Sequence, residues 1–263
     1  MSATEDLLVL DKERAREVKS ILVSQPEPTD PNSPYIKLSE KYNLKIDFRK
    51  FIEIDPVDVK EFRKQKVNIL DHTAVIFTSR NAVDHFFRLA TESKIEIPSD
   101  MKYFCISEQT ANYLQKYIVI RKRKIFTGER TAADLLNVMK KHKAEKFIFP
   151  CSNIRTDDIP NFLMENEYDW SEAIIYRTVA SDLSDLDNVT YDIIAFFSPS
   201  GIESLFHNFP GFRQNNTRIA AFGPTTSKAV KDAGLILDIQ APLPNAPSMT
   251  GAIEFYIKQA NNL

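Results

Sequence analysis

The sequence predicts an α/β fold: two similar parallel-sheet α/β domains of the Rossmann/flavodoxin-like kind, joined by a two-stranded β ribbon, with the first domain discontinuous in the chain. Three observations carry this prediction. Residues 75–87 (VIFTSRNAVDHFF) and 194–206 (IAFFSPSGIESLF) share one pattern, an apolar run, a hydroxyl-bearing turn and then an amphipathic helix. A second matched pair follows each of them, FCISEQTANYL at 104–114 and AAFGPTTSKAV at 220–230. Two further segments, KIDFRKFIEI (45–54) and EAIIYRTV (172–179), have a different, ribbon-like character. A duplicated strand–loop–helix unit implies paired α/β domains facing one another. Loops leaving the carboxyl ends of parallel strands are where such folds bind ligands, so function is expected in those turns.

Taken in order, residues 1–19 are charged and carry only a loose apolar stripe of Leu7, Leu8, Val9, Leu10 and Val18, which suits an accessory helix or a frayed tail. SILVSQP (20–26) is the first strand; a proline-rich loop (PEPTDPNSPY) and a helix (YIKLSEKYN) follow. The period-two alternation of 45–54 suits a half-exposed ribbon rather than a buried parallel strand. Strand–loop–helix units then begin near Ala74, Tyr103, Lys124 and Lys146, and after the second ribbon segment near Asp192, Arg218 and Ile239. The later set is one strand short, and SILVSQP makes the count even. Residues 1–44 with 180–263 are therefore expected to form one domain and 56–171 the other, with 45–55 and 172–179 as the linker. A split at the midpoint is the alternative, but it leaves the two ribbon segments unexplained.

Composition bounds the function. The 263 residues are 43% hydrophobic and 11% aromatic, enough to bury two cores. A net charge of −2 and a pI near 6.1 provide no global positive field for nucleic acid or an anionic membrane. The basic run Arg121, Lys122, Arg123 and Lys124 precedes an apolar stretch and reads as a solvated strand edge rather than a nucleic-acid patch. Cys105 and Cys151 sit in or just after apolar runs, as buried free thiols of a reducing cytoplasm do. Glu5, Asp6 and Asp11 around LLVL rule against a secretory signal, and no apolar stretch approaches the ~20 residues that span a bilayer. A soluble cytoplasmic protein with no membrane partner is expected. Neither GxGxxG nor GxxxxGK[ST] occurs, so dinucleotide and P-loop chemistry lack support.

Four loops join hydroxyls to a helix start: TSRNA (78–82), SEQTA (107–111), SPSG (198–201) and GPTTS (223–227). The unpaired N–H groups of a helix N-terminus carry roughly half a positive charge and hold an anion without Lys or Arg. In GPTTS, Pro224 presets the first turn while Thr225 and Thr226 supply donors. Plain N-capping explains any one such loop; four on matched repeats point to a polyanion, whose identity the pattern leaves open. His72, His85, His142 and His207 are scattered without metal-ligand spacing, and His85 and His207 read as surface or packing residues. Cys151 has no histidine close in sequence to activate it. Asp157 and Asp158 read as acids of a first helical turn. Tyr176 lies on the second crossing. It fits equally a proton donor to a leaving hydroxyl in an inter-domain cleft and an aromatic that fills the buried face of the ribbon.

VIFTSRNAV, FPCSNIRTDDIPNFL followed by EAIIYRTV, then FFSPSGIESL, AAFGPTTSKAV and APLPNAPSMTGAI together resemble uroporphyrinogen-III synthase, in order and spacing, from about residue 20 to the C-terminus. SPSG followed by GPTT is the most specific part. The resemblance implies two α/β lobes joined by a two-stranded ribbon, the first built from both chain ends. It also implies a lyase reaction: hydroxymethylbilane, a linear tetrapyrrole, loses its terminal hydroxyl as water and closes with inversion of ring D to uroporphyrinogen III, on the way to heme. The family uses no metal and no organic cofactor. Carried over residue by residue, the resemblance makes Tyr176 the candidate acid. It makes Thr78, Ser79, Thr110, Ser198, Ser200, Gly201, Thr225 and Thr226 the candidate substrate-binding positions. The unassisted bilane cyclises readily to the wrong isomer, so the main task is to hold it bent between the lobes, and lobe closure is the expected motion. Two positions depart from the family pattern. Ser107 stands where glycine is usual, and Gln25 where many bacterial members carry arginine. A non-catalytic tetrapyrrole-binding or regulatory module of the same fold is the alternative; a periplasmic-type binding protein fits the two lobes but lacks a signal peptide. A monomer is the default expectation.

Overall fold

The computed structural model describes residues 14–119, 121–129, 131–187 and 189–260. Most of the expected N-terminal accessory helix falls on residues 1–13, outside the described residues. Residues 14–19 form no helix; Val18 is buried in a core and Arg14 binds the Asp238 carboxylate at 2.6 Å.

Short buried runs make the strands and capped amphipathic segments make the helices. Strand β1 (Ser20–Val23) leads to α1 (Pro34–Tyr42), which Ser33 caps, Pro34 opens and Asn43 ends at φ 52° in the left-handed region. Next come β2 (Lys45–Phe48), β3 (Ile52–Pro56) and α2 (Val59–Lys64), the last capped by Asp58. The repeated units follow as β4 (Ala74–Phe77), α3 (Arg80–Glu92), β5 (Lys102–Cys105), α4 (Glu108–Tyr113), β6 (Ile125–Thr127) and α5 (Ala132–Met139). A reciprocal capping box between Thr131 and Asp134 starts α5. Then come β7 (Lys146–Ser152), α6 (Asp158–Glu165) and the long β8 (Asp169–Ala180). The chain ends with β9 (Ile193–Phe196), α7 (Pro199–Asn208), β10 (Arg218–Phe222), α8 (Pro224–Asp232), β11 (Leu237–Ala241) and α9 (Met249–Ala260).

The chain divides into two compact units, Met1–Glu53 with Val179–Leu263, and Ile54–Thr178. The first is therefore discontinuous, and the chain changes unit inside β3 and β8, hydrogen-bonded neighbours in one sheet. In the first unit a sheet of order β11-β10-β9-β1-β2 is parallel throughout. Its two faces are covered separately. Ile21, Val23, Ile193 and Ala195 pack with Ile253, Tyr256 and Ile257 of α9. Leu22, Ile194, Phe196 and Ile219 pack with Ile202 and Leu205 of α7.

In the second unit the order is β3-β8-β7-β4-β5-β6, with β8 to β6 mutually parallel. Val75, Phe77, Tyr103 and Cys105 face α3, while Ala74, Ile76, Phe104, Phe147 and Phe149 face Leu135, Met139 and Leu163 of α5 and α6. Strands buried on both faces read as unbroken apolar runs, as AVIF and IIAF do. The basic run at 121–124 is not part of a strand: Lys122–Lys124 is a short 3-10 helix that leads into β6, the outer strand of this sheet, with Arg121 and Arg123 exposed.

Counted from β4, the second unit runs third-second-first-fourth-fifth across the sheet (β6, β5, β4, β7, β8). Counted from β9, the first unit has the same order once β1 and β2 are taken as its fourth and fifth strands. The two units are thus circular permutations of one plan, with β1–α1 supplying to one what β7–α6 supplies to the other. This is the physical origin of the missing strand in the later half.

One expectation is corrected. Residues 45–54 are not a single ribbon segment: Lys45–Phe48 is a parallel edge strand, in register with β1 from Ser20↔Lys45 to Val23↔Phe48, and only 52–56 belongs to the crossing. Likewise 172–176 runs inside a parallel sheet, paired with β7 up to Ser152↔Tyr176.

Candidate functional site

Each sheet has a point where its strand order reverses, and crevices outside the carboxyl ends of the strands at that point are the ligand sites of open α/β sheets. In the second unit the reversal lies between β4 and β7. Ser79, two residues past the end of β4, caps α3 by accepting from the Ala82 N–H at 3.1 Å. Its hydroxyl also lies 3.3 Å from the phenol oxygen of Tyr176 on β8. Thr78, half-buried, stands between β4 and that cap. The Tyr176 ring is 7% exposed and stacks on His85 of α3, centroids 5.1 Å apart and planes 26° from parallel. Burial pushes the Tyr176 phenol above its ordinary value of 10.0, opposed by the Ser79 hydrogen bond and reinforced by Cys151. Burial, then the charge of Arg88, pulls His85 below its ordinary 6.5.

The end of β7 adds a hydroxyl–amide network. The Ser152 hydroxyl donates to Asn153 Oδ1 at 2.9 Å and lies 3.2 Å from the Thr178 hydroxyl, while the Thr178 N–H donates to the same Oδ1 at 2.8 Å. Burial drives the Cys151 thiol to about 12, so it stays protonated and carries no nucleophile. After β5, Ser107 caps α4 and lies 3.3 Å from the Thr110 hydroxyl. Thr110 is buried and turned toward its own cap. The serine that departs from the family pattern thus performs a cap.

In the first unit the reversal lies between β1 and β9. Ser198 caps α7, accepting from the Gly201 N–H at 3.3 Å with the Ser200 hydroxyl 3.0 Å away. A Cβ on Gly201 would sit 3.3 Å from the Phe196 ring and 3.7 Å from the Ser24 hydroxyl, which places the turn after β1 beside SPSG. Phe196 of β9 pairs with Ala221 of β10, so the SPSG and GPTT turns leave the sheet side by side. The second of these differs from the other three. Gly223 takes φ +85°, where a side chain is strained, and α8 begins with no capping side chain. Thr225 is exposed, whereas Thr226 is 1% exposed and faces the core.

The structure thus joins Ser79 to Tyr176, and Ser198 to Ser200 and Gly201. No hydrogen bond among the described residues links Thr110 to either group. Sequence reasoning does not find Ser24, the Asn153–Thr178 link or the stacking of His85 on Tyr176. Ser24 was within reach, since it follows an apolar strand just as Ser79 and Ser198 do. Among the described residues no three His, Cys, Asp or Glu side chains converge on a metal position, and no helix is long and apolar enough to cross a membrane.

Two permuted parallel-sheet units with hydroxyl-bearing turns at their strand ends define a two-domain α/β protein of the doubly wound class. A family model described as uroporphyrinogen-III synthase HemD matches residues 33–251, and the chain belongs to that family. It is 25% identical over 261 residues to uroporphyrinogen-III synthase of Chlorobaculum parvum, a match covering 92% of this chain and 100% of the relative. The Saccharomyces cerevisiae protein of the same name is 25% identical over 211 residues, 69% of this chain and 75% of that one. Among solved structures, uroporphyrinogen-III synthetase from Helicobacter pylori superposes with a TM-score of 0.59 at 17% identity, over 92% of this chain and 99% of that one. A mutant synthase from Thermus thermophilus gives 0.59 at 14% identity over the same shares. At such identities the two structures establish the fold.

Proposed function

We propose that the chain is a cyclising hydro-lyase that converts hydroxymethylbilane into uroporphyrinogen III in heme biosynthesis, releasing one water and inverting ring D. The observation that carries this reading is Tyr176. It is a phenol kept protonated by burial, with its hydroxyl tethered to Ser79 at the strand-order reversal of its sheet. In the proposed step the C–O bond of the terminal hydroxymethyl group breaks and Tyr176 hydrogen-bonds the departing hydroxyl, leaving a cationic azafulvene. Ring D attacks through its substituted α-carbon to give a spiro intermediate, which reopens and recloses inverted. The proton lost on rearomatisation leaves with the hydroxide as water. The balance needs no oxidant, reductant or cofactor.

The polyacid substrate is received by hydroxyls and helix N-termini rather than by net charge. Thr78, Ser79 and Thr110 serve in one unit; Ser198, Ser200, Gly201, Thr225 and Thr226 serve in the other. Thr225, exposed at an uncapped helix start, is better placed than the buried Thr226. Buried free thiols at Cys105 and Cys151 suit a reducing cytoplasm, and the protein acts as a monomer in this reading.

Freshly made hydroxymethylbilane, followed by oxidation and chromatographic separation of products, tests the proposal. The type III isomer is the expected product; type I alone overturns the reading and leaves a non-catalytic binding module. Thr225→Glu separates binding from folding. A carboxylate in a first helical turn stabilises the helix by about 0.3–1 kcal/mol but repels substrate carboxylates. KM should rise about fivefold while the melting temperature holds or increases; an unchanged KM removes this turn from the site.

A further inference from the structure

We propose that His85 is a positioning residue for Tyr176: its imidazole is a plate beneath the phenol ring that, with the Ser79 hydroxyl, fixes the direction in which the Tyr176 hydroxyl points. This rests on the reaction proposed above and deepens it.

Two contacts are needed to aim a phenol, because the hydroxyl hydrogen rotates about the C–O bond and the ring about its own axis. Ser79 holds the oxygen at 3.3 Å, and His85 holds the ring plane at 5.1 Å and 26°. His85 is itself fixed. Arg88, one turn further along α3, donates from Nε to His85 Nδ1 at 3.3 Å, so Nδ1 accepts and the ring proton resides on Nε2. Arg88 in turn donates to the Val57 carbonyl at 2.7 Å, to the Ile175 carbonyl at 3.4 Å and to Glu92 at 2.8 Å. Ile175 immediately precedes Tyr176, so one guanidinium orients the imidazole and ties the strand that carries the phenol. A surface or packing histidine needs no such fixed tautomer.

Arg88 on α3 and Tyr176 on β8 contact His85, and the charges of Asp84 and Glu92 on α3 act on it. Burial and Arg88 disfavour its charge, while Asp84 and Glu92 partly offset them. At neutral pH the plate is uncharged. Protonation would set an Nδ1 donor against the Arg88 donor and break the pair. The contact is therefore present above the ordinary histidine value of 6.5 and is lost as pH falls through the lower value in the fold.

The test is steady-state formation of the type III isomer by the wild type, His85→Ala, His85→Phe, Tyr176→Phe and the Tyr176→Phe/His85→Ala pair. Loss of the plate should lower kcat about tenfold with KM within about twofold. His85→Phe, which keeps an aromatic face, should recover most of that loss. In the Tyr176→Phe background His85→Ala should cost less than about twofold, because no hydroxyl remains to aim. A kcat for His85→Ala within about twofold of wild type, or an equal loss in both backgrounds, overturns the proposal. Proton NMR of the Tyr176 ring, assigned with Tyr176→Phe, reads the stack without turnover. Unmoved ring resonances in His85→Ala also overturn it. If the wild type makes no type III isomer, the reaction reading falls by that result alone, while the NMR comparison still decides whether His85 holds the ring.

Discussion

Phe77→Ala is expected to destabilise the Ile54–Thr178 unit by about 3–5 kcal/mol, the range for deleting a fully buried phenylalanine. Phe77 is the last residue of β4 and is 0% exposed. Its ring meets Phe86 edge-on at 5.4 Å, Phe87 at 6.4 Å and Tyr103 in a stack at 6.3 Å. The sheet fixes β4 and Tyr103, and α3 fixes Phe86 and Phe87, so the surroundings relax only partly into the vacated volume and a cavity term adds to the lost transfer term. The single tryptophan, Trp170 on β8, lies in this unit and reports its unfolding by fluorescence. With a urea slope of about 1–3 kcal/mol per molar, the midpoint should fall by at least about 1 M. A shift below about 0.3 M would mean that Phe77 is not the packing centre described. The consequence reaches the site, because Phe86 and Phe87 lie on the helix that Ser79 caps. Loosening that helix moves the hydroxyl that tethers Tyr176.

Much of this fold is legible from local pattern, and the failures have a common cause. AVIF, KYFC and IIAF are buried on both sheet faces, so each reads as a strand without knowledge of its partner. KIDF misleads because β2 is an edge strand with no fully buried residue, and a half-exposed parallel edge carries the same alternation as a ribbon. Tyr176 fills a buried face with its ring while its oxygen is engaged by Ser79. Helix caps at Ser79, Ser107 and Ser198 follow from neighbours three residues away and are visible in sequence. Contacts closed by strands far apart in sequence are not. His85 meets a ring 91 residues later (176 minus 85), and Ser24 meets a turn built on Gly201. The permutation hides two of the first unit's five strands for the same reason, because the segment that completes the first unit precedes the rest of it by the length of the second.

Tyr176→Phe should lower kcat about ten- to a hundredfold, leave KM within about twofold, and still yield the type III isomer. The phenol touches only the departing hydroxyl in the proposed step, whereas ring inversion depends on how the bilane is held, so rate and isomer ratio should separate. Structural loss is small. Ser79 keeps its bond to the Ala82 N–H, and the missing hydroxyl contact is worth about 1 kcal/mol. The pH dependence follows from the raised phenol. An acid whose folded value lies above 10.0 stays protonated through neutrality; its contribution is complete below that value and is lost only as pH rises through the higher one. Wild-type kcat should therefore show no inflection from Tyr176 between about pH 7 and 9, and the variant should trace a parallel profile at lower height. An alkaline limb in that window that vanishes in Tyr176→Phe would show that the phenol ionises there, and hence that the buried environment described for it is wrong. Equal kcat in wild type and variant would instead remove Tyr176 from the reaction, leaving substrate geometry as the source of the rate.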